Sequence, residues 1–160
     1  MFCGQLSIMK AINGMITYEK IINANAAVQN LTRLRLPISK IKVTKRIREM
    51  AEALQKEFEF VISEEKKIIE AYPEVEFNDS GNPILKPDTE VDGIPTVSDD
   101  KKAKGEEFMK EISTLHETET EWEFDVIKIS EKDLKTAGDF SLTAEDLDVL
   151  DGFIEFVEED

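Results

Sequence analysis

The sequence predicts an α+β fold: a long antiparallel αα-hairpin, a third helix packed on it, and a small antiparallel β-sheet near the C-terminus. Three observations carry this expectation. Tyr18, Ile21, Ile22, Val28, Leu31 and Leu34 follow three- and four-residue steps, the period of one helix face. A second series, Ile47, Ala51, Leu54, Phe58, Val61, Ile68 and Tyr72, alternates steps of four and three. Glu65 fills its one vacant place, and the series amounts to a heptad seam of nearly four repeats. Further on, "TEWEFDVIKI" alternates apolar and acidic residues with the period of two that belongs to a strand.

Taken in order, the first helix runs from Thr17, a candidate N-cap, to about Leu34. Leu36-Pro37 breaks it, because a residue before proline avoids the α region. Ser39 can cap the second helix, which ends at Pro73; from about 40 to 72 it would span roughly 50 Å. The tight turn between the two predicts that they fold back on one another. "EVEFNDSGNPILKP" reads as a short β-hairpin or loose loop around its Asn-Asp-Ser-Gly-Asn turn. Residues 86–97, with Pro87, Gly93 and Pro95, read as a surface connection. Ser98 caps a third helix reaching about Glu117, with Phe108, Met109, Ile112 and Leu115 as its buried stripe. In the strand 121–129, Trp122, Phe124 and Val126 share a face, and Ile127 and Ile129 break the phase. Ser130 begins a single capped turn, and Thr143 caps a short helix ending near Gly152. Residues 153–157 are the expected sheet partner of 121–129. Residues 1–16 read as an N-terminal extension that packs weakly or not at all. Residues 17–160 read as one domain made of a helical hairpin (17–72), a hairpin or loop (73–97), and a helix with the small sheet (98–160).

Charge is divided along the chain. The formal net charge is −15, and 34% of residues are charged, against about 25% in an ordinary soluble domain. Residues 1–60 carry ten Lys and Arg against five Asp and Glu, whereas residues 61–160 carry ten against thirty. Within the first part, "RLRLPISKIKVTKRIR" holds seven cations and no carboxylate: Arg33, Arg35, Lys40, Lys42, Lys45, Arg46 and Arg48. This basic island surrounds the turn between the first two helices. Two readings follow: it faces the acidic half of its own chain and offsets repulsion there, or it meets a partner, acidic protein or nucleic acid. No aromatic stands in the island to stack on bases, which counts against single-stranded nucleic acid. An opposite row, Glu117, Glu119, Glu121, Glu123 and Asp125, continues in the tail Glu155, Glu158, Glu159 and Asp160. It reads first as a solvated face and second as an imitation of a DNA phosphate track.

Signals for catalysis are weak. His116 is the one histidine and Cys3 the one cysteine, so neither a His-based zinc set nor an intramolecular disulfide can be assembled. His116 near a helix end reads as a surface cation favoured by the dipole. With 35 carboxylates, pairing any two as an acid/base dyad carries no information. Asp88, Glu90, Asp92, Gly93 and Asp99 stand at positions 1, 3, 5, 6 and 12 of an EF-hand-like loop. Glu at position 3, Asp at position 12 and Pro95 all weigh against calcium, so an acidic Gly/Pro loop is the favoured reading. No catalytic residue, cofactor or metal ligand is assigned. No apolar run approaches the ~18 residues of a bilayer span.

Most of the chain after Met15 resembles a family of small tailed-phage proteins of unknown function. The resemblance rests on "ITYEKIINANAAVQNLTRLRLPISK", "EMAEALQKEFEFVISEEKKIIEAY", "NDSGN", "FMKEISTLHETETEWEFDVIKI" and "LTAEDLDVLDGFIEF". Ser39 stands where a basic residue is more usual, and the 86–97 loop is longer. The resemblance implies a phage or prophage origin and brings no catalytic residues with it. The sequence therefore leads to an expected non-enzymatic phage accessory protein that acts by protein–protein contact, in virion assembly or host takeover. Its partner would be a phage structural protein or a host protein, and its place the host cytoplasm or the virion. The alternatives are an acidic DNA mimic that inhibits a host nucleic-acid enzyme in anti-defence, and nucleic-acid binding through the basic tip. No membrane partner is expected, and a homo-oligomer stays open.

Overall fold

The computed structural model describes residues 14–135 and 140–158. In chain order the elements are β1 (Met15–Thr17), α1 (Tyr18–Leu31), a 3-10 turn (Ile38–Lys40), α2 (Ile41–Ala71), β2 (Glu76–Phe77), β3 (Pro83–Ile84), β4 (Thr89–Val91), β5 (Ile94–Thr96), α3 (Asp99–Glu117), β6 (Glu119–Glu121), β7 (Ile127–Ser130), α4 (Glu131–Lys135), α5 (Ala144–Leu150) and β8 (Ile154–Val157). The fold is mixed α+β. By internal contacts it forms two compact units: residues up to 59 together with those from 119 onward, and residues 60–118.

In the first unit, Thr17 opens α1 as its spacing predicts. Its Oγ1 accepts from the Lys20 amide at 3.3 Å and satisfies one of the free N–H groups of the first turn. The helix stops at Leu31, three residues earlier than the apolar period suggests. The backbone then tightens through Thr32 N–H to Gln29 O and Leu34 N–H to Leu31 O, so Leu34 stays buried outside the helix. Ser39 does not cap the next helix. It lies inside the 3-10 turn, and α2 begins two residues later. Ile21, Ala24, Val28 and Leu31 of α1 are buried, as are Ile47, Met50, Ala51 and Leu54 of α2. Polar bonds fix their register: Asn25 Nδ2 donates to Gln55 Oε1 at 3.1 Å, and Gln29 Nε2 donates to the Ala51 carbonyl at 2.6 Å. Partners that descend as the α1 residues ascend mean that these stretches run in opposite directions.

Three expectations about this unit are corrected. Residues 15 and 16 were expected in a weakly packed extension; they belong to β1, which pairs antiparallel with β6 (Met15 with Glu121, Thr17 with Glu119), and Ile16 is buried. The rest of that extension, Cys3 included, lies outside the described residues. The single strand expected over 121–129 is two strands, β6 and β7, with an irregular stretch between them. The phase break at Ile127 marks this division: Trp122 is buried before it and Ile127 and Ile129 after it, while Val126 is exposed. Finally, β7 and β8 pair in parallel, not antiparallel, with Ile127 opposite Ile154 and Ser130 opposite Val157. The connection explains this, because α4 and α5 carry the chain back to the starting end of β7, which a tight turn cannot do. The capping box predicted at Thr143 is present. Asp146 N–H donates to Thr143 Oγ1 and Thr143 N–H donates to Asp146 Oδ2, both at 3.0 Å. Leu150 and Phe153 follow as fully buried anchors against which α1 can pack.

In the second unit, β2 and β3 form the expected hairpin. Asn78 closes its turn, its side-chain oxygen accepting from Asn82 N–H at 2.9 Å. Residues 86–97 are not the expected bare connection but a second hairpin, β4–β5. Its two central residues, Asp92 (φ 52) and Gly93 (φ 79), both take the left-handed conformation that a tight two-residue turn demands. Of the acids that match an EF-hand spacing, Glu90 and Asp92 therefore lie in a hairpin, Asp88 stands just before it and Asp99 opens α3. Asp88 joins the hairpin to α3, its carboxylate accepting from Ser98 N–H at 2.7 Å and from Ser98 Oγ–H at 2.8 Å. Ser98 Oγ in turn accepts from Lys101 N–H at 3.2 Å and caps α3 as predicted.

The two Ser98 bonds, led by the one from its amide, hold the Asp88 carboxyl below its ordinary range, with the Lys101 charge adding to them. A carboxyl with a lowered folded-state pKa contributes its stability above the unfolded pKa and loses it as pH falls through the folded one. The clamp is therefore expected to hold at neutral pH and to open only in acid below the usual Asp range. Amide exchange at Ser98 and Lys101 followed from neutral to acid pH, corrected for the intrinsic rate, checks this; protection unchanged by Asp88→Asn at neutral pH would contradict it.

Candidate functional site

The basic island sits where the chain leaves α1, passes through the 3-10 turn and enters α2, within the first unit. Pro37 cannot continue a helix, and Lys40 N–H bonds back to the Pro37 carbonyl at 2.8 Å, which makes the turn compact. The structure leaves Arg33, Arg35, Lys42, Lys45, Arg46 and Arg48 exposed, and Lys40 half-buried. Two apolar side chains stand among them. Ile38 is 82% exposed and Ile41 is 56% exposed. Leu34 before the turn and Ile47 after it are buried, so both ends of the tip are anchored in the core. The Asn25–Gln29–Gln55 relay ties its two helices together behind it. Asn25 Oδ1 accepts from Gln29 Nε2 at 3.1 Å, and Gln55 Nε2 donates to Glu59 Oε1 at 3.1 Å.

One member of the island does meet the acidic half of the chain. The Arg46 guanidinium lies 4.3 Å from the centre of the Phe124 ring, between Glu123 and Asp125 in sequence, and its Nη1 pairs with Glu49 at 3.0 Å. Phe124 itself rests on Trp122, with ring centres 5.0 Å apart. At an exposed position each such contact contributes at most about 1 kcal/mol. Arg46 therefore orients the segment more than it stabilises the fold.

The acidic row divides between the units. Glu117 ends α3 in the second unit. Glu119 and Glu121 lie on β6, and Glu123 and Asp125 on the irregular stretch that follows; all five are exposed. Glu155 and Glu158 are exposed as well, while Glu159 and Asp160 lie outside the described residues.

No family model, no curated protein and no solved structure matches this chain.

His116 is not a free surface cation. It is half-buried, and its Nε2 lies 2.6 Å from Oε1 of Glu65 in the second unit. The polar place in the heptad seam thus has a partner, and the lone histidine serves the packing of α3 on α2. Among the described residues no group of three or more His, Cys, Asp or Glu is arranged to hold a metal ion. No helix among them is long and apolar enough to cross a membrane.

Sequence reasoning found the seven cations by composition alone. It missed Ile38 and Ile41 as site residues, because apolar residues at a helix start read as core. It also missed Asn25, Gln29 and Gln55. The one available signal was a polar Asn25 at a four-residue step between Ile21 and Gln29, inside a face that is otherwise apolar.

Proposed function

We propose that this chain is a non-enzymatic phage accessory protein acting by protein–protein contact, in virion assembly or host takeover, with the tip between α1 and α2 as its contact surface. The observation that supports the reading best is the exposure of Ile38 and Ile41 in a stretch of sequence that carries seven cations and no carboxylate. Exposed apolar side chains flanked by charge suit a partner that offers an apolar pocket with acidic edges. A phosphate backbone offers nothing to Ile38. The partner is a phage structural protein or a host protein, met in the host cytoplasm or on the virion.

A second reading, an acidic imitation of DNA that blocks a host nucleic-acid enzyme, is favoured by the exposed alternation Glu119, Glu121, Glu123 and Asp125. The experiment is affinity capture from infected cells with the tagged chain and with its Ile38→Asp/Ile41→Asp variant, followed by mass spectrometry. We expect a protein retained by the first and lost from the second, with affinity down by roughly 30-fold or more, as when central anchors are removed. Equal capture by both would overturn the tip. Capture of a nuclease that duplex DNA displaces would favour the acidic row, and duplex binding with a steep salt slope would favour nucleic acid at the tip.

A further inference from the structure

A cavity of about 250 Å³ in the first unit is built from places far apart in sequence. Lys20 comes from the first turn of α1. Trp122, Phe124 and Asp125 come from β6 onward into the irregular stretch before β7, and Asp151, Gly152 and Phe153 from the turn between α5 and β8. The fold holds these walls. Ile127 N–H donates to the Phe153 carbonyl at 2.9 Å and joins the stretch to the turn. The Trp122 ring meets those of Phe124 and Phe153 with centres 5.0 and 5.8 Å apart. Gly152 takes φ 88, a conformation that suits glycine and carries the chain from α5 towards β8. A Cβ there would stand 3.9 Å from Lys20 Nζ, so the ammonium lies against this turn.

Three observations give the cavity a ligand's requirements. Trp122 is 8% exposed, yet its indole N–H is buried without an acceptor. Buried polar groups are nearly always paired, so this donor is one that the fold leaves unused. Lys20, Asp125 and Asp151 share the cavity, yet among the described residues none of them forms an ion pair. The rings, finally, are of the kind that hold cations: Phe124 already carries the Arg46 guanidinium at 4.3 Å. The volume lies below the roughly 300–1,000 Å³ of drug-sized sites, so the occupant is small.

We propose that this cavity binds a small zwitterion of the basic amino-acid class. Its carboxylate meets the Lys20 ammonium and the Trp122 N–H. Its two cationic groups meet Asp151 and Asp125, and its aliphatic stem lies on the aromatic walls. The charge count selects this class: two carboxylates against one ammonium leave the cavity with one negative charge, which a ligand of net +1 balances. A neutral amino acid leaves one Asp unpaired, and an acidic one sets a second carboxylate against both. The site is distinct from the basic tip, and its failure would leave the function proposed above standing.

Titration of the full chain with L-arginine, followed by calorimetry and by the indole N–H resonance of Trp122, tests it. Trp122 is the only tryptophan, so that resonance reports on this site alone. We expect saturable binding that shifts the indole signal. L-norleucine, which lacks the side-chain cation, and agmatine, which lacks the carboxylate, should each bind about tenfold or more weakly, the weight of one charge-assisted contact. L-glutamate should leave the signal unmoved. Lys20→Gln and Asp151→Asn should each weaken arginine by about tenfold. Both residues are exposed, so the circular dichroism spectra should match the parent. Ile38→Asp should bind as the parent does. No saturable binding, arginine and norleucine bound alike, or affinity unmoved by both Lys20→Gln and Asp151→Asn would overturn the proposal.

Discussion

Leu54→Asp is expected to unfold the first unit. Leu54 is fully buried on α2, one residue from the Gln55 that bonds to Asn25. Removing its apolar side chain alone would cost about 3–5 kcal/mol, and an unpaired buried carboxylate adds several more. The sum reaches the whole stability of an ordinary domain, about 5–15 kcal/mol. Trp122, the only tryptophan, sits in this unit against Phe153, with ring centres 5.8 Å apart, and reports on it directly. Its fluorescence in the variant should resemble that of the denatured chain. Leu54→Met should cost under about 1.5 kcal/mol and keep the native signal. A variant Leu54→Asp that melts like the parent would mean that Leu54 does not hold α2 against the rest of the unit.

Phe108→Ala is expected to strike the second unit alone. Phe108 is its largest buried side chain, and the rings of Tyr72 and Phe77 meet it edge-on at 5.9 and 6.1 Å. Truncation of a buried Phe costs about 3–5 kcal/mol, and few other buried residues remain there to compensate. Tyr72 also loses its support. Its hydroxyl bonds Glu111, and desolvation first, then that bond and the charges of Glu111, Glu107 and Glu74, push its pKa above the usual tyrosine value. The expected outcome is loss of helical dichroism and of amide protection over residues 99–117, with the Trp122 signal melting as in the parent. Loss of both signals in one transition would mean that Phe108 supports the first unit as well.

Much of this architecture was legible because it is written locally. Thr17, Ser98 and Thr143 announce three helix starts, and each makes the capping bond its position implies. Pro73 stops α2 two residues ahead, and Asn78 to Asn82 supply a turn of the expected kind. What failed depended on partners distant in sequence. β6 and β7 were fused because Trp122 and Phe124 keep an alternating pattern between them. Nothing local says that one pairs with residues 15–17 and the other with 154–157. The parallel pairing was missed because antiparallel pairing is the default for a short terminal sheet, and the helical return that decides otherwise is a matter of topology. The β4–β5 hairpin was not legible because Pro87, Gly93 and Pro95 together read as a surface connection, although Asp92-Gly93 is by itself a turn signal. At the tip, charge was legible from composition. The exposure of Ile38 and Ile41 was not, since it follows from where α1 stops and how the 3-10 turn carries the chain into α2.

At the tip, another protein is expected to lie against Ile38. A photo-crosslinking residue placed at position 38, in the full chain expressed in infected cells, tests it most directly, because it records whatever lies against Ile38 itself. The expected result is one dominant crosslinked protein, absent when the residue is placed instead at the exposed Glu158. Crosslinks to nucleic acid, or none above the Glu158 control, would contradict it.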